Sequence, residues 1–438
     1  MDRKSLLGWK LYDFANSAYV LTTATALLPA YFAAAVAGPE GAVAAGVRFS
    51  ASTLWGLAVS AAAAVVFVIP PILGAMADLR RCKKRFWMVL CGGGCAAAAL
   101  LPLAGPGDVW LCLGLFAAAQ VCFAGANVFY DAFLPEVAPP GRLDAVSGQG
   151  FAWGYLGGGL HFALCLGLVA LHDQLGLGKA AAVRLSMFSA AAWWAAFSLP
   201  AFLWIREPGG PGPVRPAGPQ FAGRALQQGL AQARRTLGVL LRGSNASRFL
   251  LAYLLYNDGV QTVIAMAAIY GKEELGLAET WLMGTLLLVQ AVAMLGAVAF
   301  GRLAGRVGAK RALSLSLVMW CAVAVSAAFI QSAAHYLALG CAVGLVLGAT
   351  QALSRSLFAA LVPAGERAQY FGYFSVVTKL SAVLGPLLFA AATHAFASAR
   401  PAIVAMAVLF CAGLALLARV HAPSKEESSR KIEGKDDK

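Results

Sequence analysis

Apolar residues recur along this chain in twelve long runs divided by short polar stretches: 11–37, 52–76, 86–104, 109–135, 146–171, 184–205, 248–271, 280–301, 311–332, 334–362, 370–396 and 400–420. A bilayer core of roughly 30 Å is crossed by about 20 apolar residues in a helix, which satisfies its own backbone hydrogen bonds where there is no water. The pattern therefore predicts an all-α membrane protein with twelve transmembrane helices. Composition agrees: with 60% hydrophobic and 12% charged residues, a soluble fold would leave more apolar surface than one compact domain covers.

Charge adds orientation. Cationic flanks are retained on the cytoplasmic side of each span. If the N-terminus is cytoplasmic, the termini and the loops on their side hold 27 of the 34 Lys and Arg residues. The opposite loops hold Arg48, Lys179, Arg184, Lys272 and Arg400, and two cations, Arg355 and Lys379, fall inside spans. Both termini are expected in the cytoplasm of a bacterial-type inner membrane. The net charge of +14 then follows from topology and attraction to anionic lipid, so no nucleic-acid partner is expected. The nine cysteines show no disulfide framework and no paired CxxC, and no metal or cofactor is expected.

Residues 206–247 break the apolar pattern. A Gly- and Pro-rich stretch, GGPGPVRPAGPQ, precedes FAGRALQQGLAQARRTLGVLLRG. There Phe221, Leu226, Leu230, Leu237 and Leu241 share a helical face opposite Arg224, Gln228 and Arg235, as suits a helix lying in the headgroup layer. This linker divides an N-terminal half, 1–205, from a C-terminal half, 248–420. A mixed-charge tail, 421–438, is expected to be disordered.

The halves repeat. GAMADLRRCKKR from Gly74 follows span 2 and GRLAGRVGAKR from Gly301 follows span 8; Phe133-Leu134-Pro135 ends span 4 and Leu361-Val362-Pro363 ends span 10. Two pseudo-symmetric six-helix bundles are the inference.

The Gly74, Asp78, Lys83 and Lys84 loop resembles the signature of the major facilitator superfamily. YDFANSAY at Tyr12, NVFYDAFLPE at Asn127, SGQGFAWGYLGG at Ser147, LLYNDGVQT at Leu254 and QALSRSLFAALVP at Gln351 resemble, more narrowly, the vacuole-effluxer, autophagy-related permease family and its bacterial relatives. The second signature copy has Gly305 where the acid would stand, and the first has Arg81 where that superfamily usually has Gly.

The resemblance implies that spans 1, 4, 7 and 10 line a central cavity most closely, with 2, 5, 8 and 11 at its sides. The in-span charges agree: Asp13, Asp131, Asp258, Arg355 and Lys379 lie on spans 1, 4, 7, 10 and 11. A charge at the centre of a membrane helix costs roughly 2.5 to 3.5 kcal/mol and is tolerated mainly against water or a partner. By depth, Asp258, Arg355 and Lys379 are expected to cluster in the C-terminal half, as a substrate-binding ion pair or a structural salt bridge. Tyr253, Asn257 and Gln261 recur every four residues on span 7, and Tyr12, Asn16 and Tyr19 recur on span 1, as candidate substrate contacts. Asp13 is either the cap of span 1 or, with Asp258, a proton-coupling candidate. Asp131 is expected at a gate. Asp78 is expected to bond free amides at a neighbouring helix N-terminus, with Arg80, Lys83 and Lys84 pairing with acids across the seam between the halves. His161 is read as a helix-to-helix hydrogen bond or a proton relay.

No phosphate-cradling loop or catalytic triad suggests a pump or an enzyme. The expected activity is secondary transport of a small organic solute by a monomer, with a proton as the candidate coupling ion. The resemblance implies amino-acid export. Transport of sugars, peptides, drugs or lipids, or membrane sensing without flux, are the alternatives.

Overall fold

The computed structural model describes residues 2–39, 41–44, 46–207, 219–382, 385, 394 and 399–422. Among the described residues, ten helices are long and apolar enough to cross a membrane: Arg3–Val36, Ala51–Arg80, Lys83–Leu103, Val109–Val137, Leu143–Ala170, Lys179–Trp204, Asn245–Glu273, Glu279–Val307, Ala309–Ala327 and Ala333–Leu361. These are spans 1 to 10. Arg367–Leu380 begins span 11; of the rest of 370–396, only 381, 382, 385 and 394 are described. Ala399–Ala418 is span 12. Most of the Gly- and Pro-rich linker and the tail from 423 also lie outside the described residues. An even number of spans brings both chain ends to one side, here termed the terminal face.

Span 1 starts at Arg3 rather than at residue 11, because the Asp2 side chain accepts from the Lys4 amide at 3.0 Å and caps it. Its middle winds as π-helix over Tyr19–Leu27 and again over Phe32–Val36. A short antiparallel hairpin, with Ala42 paired to Phe49, joins spans 1 and 2. Neither feature was expected.

One main hydrophobic core runs through both halves, which meet chiefly along span 5 on span 8 and span 2 on span 11, with span 10 on span 5 and span 11 on span 4 beside them. Small residues set that approach. A Cβ at Gly74 would run into the backbone of Ala368 and Gln369 of span 11, and one at Gly148 of span 5 into the Ala297 carbonyl of span 8. Both contacts lie toward the terminal face, so that side of the seam is closed.

Candidate functional site

Arg355 occupies the centre of the seam. Its Nη1 donates to Asp13 Oδ2 at 3.2 Å and to Asp131 Oδ1 at 3.1 Å; Nε and Nη2 donate to the Ser147 hydroxyl and carbonyl, both at 3.0 Å. Phe151 lies 4.1 Å and Trp9 4.8 Å from the guanidinium carbon, a stacking geometry that suits a delocalised cation. Gly150 leaves the room: a Cβ there would meet both Trp9 and Arg355. The Tyr130 hydroxyl donates to Asp13 at 2.7 Å. A side chain of the C-terminal half is thus held entirely by spans 1, 4 and 5 of the N-terminal half.

This corrects the expected grouping of Arg355 with Asp258 and Lys379, because a spacing along the helix gives depth and not direction. Asp13 is also not the cap of span 1; it lies inside the helix, facing the seam.

Nearer the terminal face is a second ring. Asp78, ending span 2, accepts from the Gln369 amide at 2.9 Å and the Ala368 amide at 3.3 Å. These are orphan donors in the first turn of span 11, where the helix dipole favours an anion. Lys83 and Lys84 do not cross the seam. The Lys83 ammonium pairs with Glu136 at the end of span 4, and that of Lys84 donates to the Ile205 carbonyl at 2.6 Å after span 6. Both stay in their own half because Glu207 receives their amides at the start of span 3. Arg367 does cross the seam, 3.8 Å from Glu136. Arg80 is exposed. Glu136, Glu207 and Arg367 were missed, since each sits at a span end where a charge reads only as topology; Glu136 directly follows the Leu-Pro that ends span 4 and was within reach of that signal.

Above Arg355 lies a band of polar groups. Counting ~1.5 Å of rise per residue, Asn16, Asn127, Tyr155, Asn257, Gln351 and Lys379 all stand roughly 15 to 20 Å from the terminal ends of their helices. Asn16 donates to Asn127 at 3.0 Å, the Tyr155 hydroxyl to Gln351 at 2.7 Å across the seam, and Asn257 to Ser381. Tyr253 meets the Thr378 hydroxyl at 3.0 Å and stacks on Phe374. Gln261 and Lys379 are half-buried, and among the described residues no hydrogen bond or ion pair holds the Lys379 ammonium. Asp258 is fully buried.

Tyr12 does not reach this band. It is fully buried inside the N-terminal half among Trp87, Tyr130 and Phe202. Tyr19 is buried against Trp194 and Phe123. His161 joins spans, hydrogen-bonded to Thr22 at 2.9 Å and Ser189 at 3.1 Å.

Comparison with known proteins fits this architecture. The profile of a family described as "Vacuole effluxer Atg22 like" matches residues 1–144 and 141–429. An MFS-type transporter of Bacillus subtilis, YxiO, is 33% identical over 421 residues, 94% of each chain. Autophagy-related protein 22-1 of Aspergillus niger is 26% identical over 301 residues, which are 62% of this chain and 46% of that protein; the chain thus matches about half the length of this fungal relative. Among solved structures, the E. coli fucose:proton symporter FucP superposes with a TM-score of 0.70 at 14% identity, covering 96% of this chain and 98% of that one. The proton:xylose symporter XylE gives 0.71 at 14%, covering 98% and 97%. At that identity the likeness shows the major facilitator fold.

Proposed function

The chain belongs to the vacuole effluxer Atg22-like family of major facilitator transporters, and from that premise we propose that it exports neutral apolar or aromatic amino acids by alternating access. Its relatives and structural neighbours are transporters and not enzymes. The observation that carries the cargo is Lys379. An ammonium held about halfway across a membrane costs roughly 2.5 to 3.5 kcal/mol unless it meets water or an anion, and an amino-acid carboxylate is such an anion. The amides and hydroxyls of Asn257, Ser381, Tyr253, Thr378 and Gln261 stand on the neighbouring faces of spans 7 and 11 to complete the hydrogen bonds of a zwitterion. Asn16 serves from span 1.

Asp258 is the candidate carrier of a coupling proton and the partner of the substrate ammonium. Arg355, with four of its five N–H donors taken by protein groups, serves as the lock beneath the site, with Asp13 and Asp131 as its acceptors. Asp78 caps the gate on the terminal face. The bias of cations toward that face supports placing it in the cytoplasm, with the closed gate then marking an outward-facing state.

Counterflow of labelled leucine and phenylalanine in proteoliposomes tests this, because exchange needs no coupling gradient. Saturable exchange is expected from the wild type, with a loss of at least roughly tenfold in Lys379→Ala, as for removing one charge-assisted hydrogen bond. Exchange of no amino acid by folded protein overturns the cargo; exchange indifferent to Lys379→Ala overturns the site.

A further inference from the structure

The helix between the halves, Pro219–Leu241, lies across the same seam that Asp78 closes. Gly229 sits against Met76 of span 2, where a Cβ would collide with that side chain. On the other side of the seam, the Gln232 and Ala233 carbonyls accept from Gln369 at 2.9 Å and Tyr373 at 2.6 Å, both of span 11. Gln232 also donates to Glu366 at 3.1 Å. The helix therefore holds one helix of each half at once. That grip exists only while spans 2 and 11 are together, so it favours the closed terminal face over the open one.

The gripping stripe is Gly229, Ala233, Thr236 and Leu240, all buried. It is not the leucine stripe of the sequence. Leu226, Leu237 and Leu241 are 47%, 41% and 79% exposed, and at 3.6 residues per turn they form a separate face. Arg234, Arg235 and Arg242 are exposed around it. One flank thus fits the gate, the next is apolar, and the remainder is cationic. The last two are the faces of a helix that lies in a headgroup layer.

We infer that this helix is a lipid-dependent clasp: an anionic bilayer surface takes its leucine and arginine faces and thereby strengthens its hold on spans 2 and 11, keeping the terminal face closed. Charge complementarity selects the partner, since phosphate-bearing headgroups attract clustered arginine within a Debye length of the surface. Holding the helix in the plane of the membrane beside the seam raises its effective concentration for the gate, and the bias toward closure follows. The clasp rests on alternating access and is independent of the cargo.

Hydrogen–deuterium exchange of the full chain, in vesicles of phosphatidylcholine alone or with phosphatidylglycerol added, tests it without any substrate. In the anionic vesicles, amides of 229–241 and of 367–373 are both expected to exchange more slowly, by roughly tenfold. Arg234→Gln/Arg235→Gln/Arg242→Gln should remove that response from both segments while leaving the exchange of spans 3 and 9 unchanged. In Gln369→Ala/Tyr373→Phe the linker helix should still respond and 367–373 should not. Equal exchange in the two vesicles overturns the clasp, and so does a response of 229–241 that never reaches 367–373 in the wild type.

Discussion

Arg355 joins the halves through one side chain, and its replacement separates two effects. Arg355→Gln leaves Asp13 and Asp131 buried without their cation, a loss of about 3 to 5 kcal/mol from the closed arrangement. Arg355→Lys should fail to restore it, because a point charge cannot bridge two carboxylates and Ser147 while lying flat between Phe151 and Trp9. Accessibility of the seam to a thiol reagent from the terminal face is the readout, and it should rise in both variants. Arg81 offers a test in the opposite direction. It ends span 2 with φ of 51°, a left-handed conformation that costs a non-glycine residue roughly 1 kcal/mol. Arg81→Gly should therefore raise thermal stability by up to that amount, which explains why the superfamily usually has Gly there. Cys82, next to it, is half-buried, and burial followed by the charge of Glu207 pushes its thiol above the usual range. Less thiolate is present at neutral pH than in a free cysteine, so alkylation at pH 7 should be slow and should quicken about tenfold per unit up to the thiol's own pKa. At this scale the sequence identified the charges deep inside the spans but not their partners. Asp13, Asp131 and Arg355 lie on three helices from two halves, and helical periodicity carries no information about which neighbour a side chain faces.

The signature turn was legible as an element because its chemistry is local. Gly-x-x-x-Asp puts the small residue one turn before the acid, so Gly74 admits the start of span 11 and Asp78 caps it. Asp78→Ala should cost the closed state about 1 to 2 kcal/mol, the value of a helix cap with its dipole contribution. Gly74→Ala should act in the same direction by steric means, since the obstacle is backbone and cannot rotate away. Pulsed dipolar distances between spans 2 and 11 at the terminal face should lengthen in both variants. The π-helical turns of span 1 were not legible: in a run of Ala, Leu and Thr nothing distinguishes their winding from 3.6 residues per turn. The linker helix was legible as amphipathic, with its leucines on a headgroup face, yet the stripe that grips the gate was not legible. Gly229, Ala233 and Thr236 grip the gate because small residues let backbones approach, and a hydrophobicity pattern does not register them.

For the whole molecule, the repeat of signature turns and Leu-Val-Pro or Phe-Leu-Pro endings was enough to predict two bundles of six spans. The state was beyond reach, because the same sequence must close at either face. Here the seam is packed from Asp78 through Arg355 up to the Tyr155–Gln351 bond, with the polar band at its upper end. On the proposed reading that order is gate, lock and site, as alternating access requires of a transporter sealed on one side. The most direct measurement is the distance between spin labels at Arg142→Cys and Arg306→Cys, at the terminal ends of spans 5 and 8, in protein whose nine native cysteines are replaced by serine or alanine, first with Arg355 retained and then with Arg355→Gln. The account predicts a short distance in the first and a shift of the population to longer distances in the second. Identical distributions in the two proteins would contradict it.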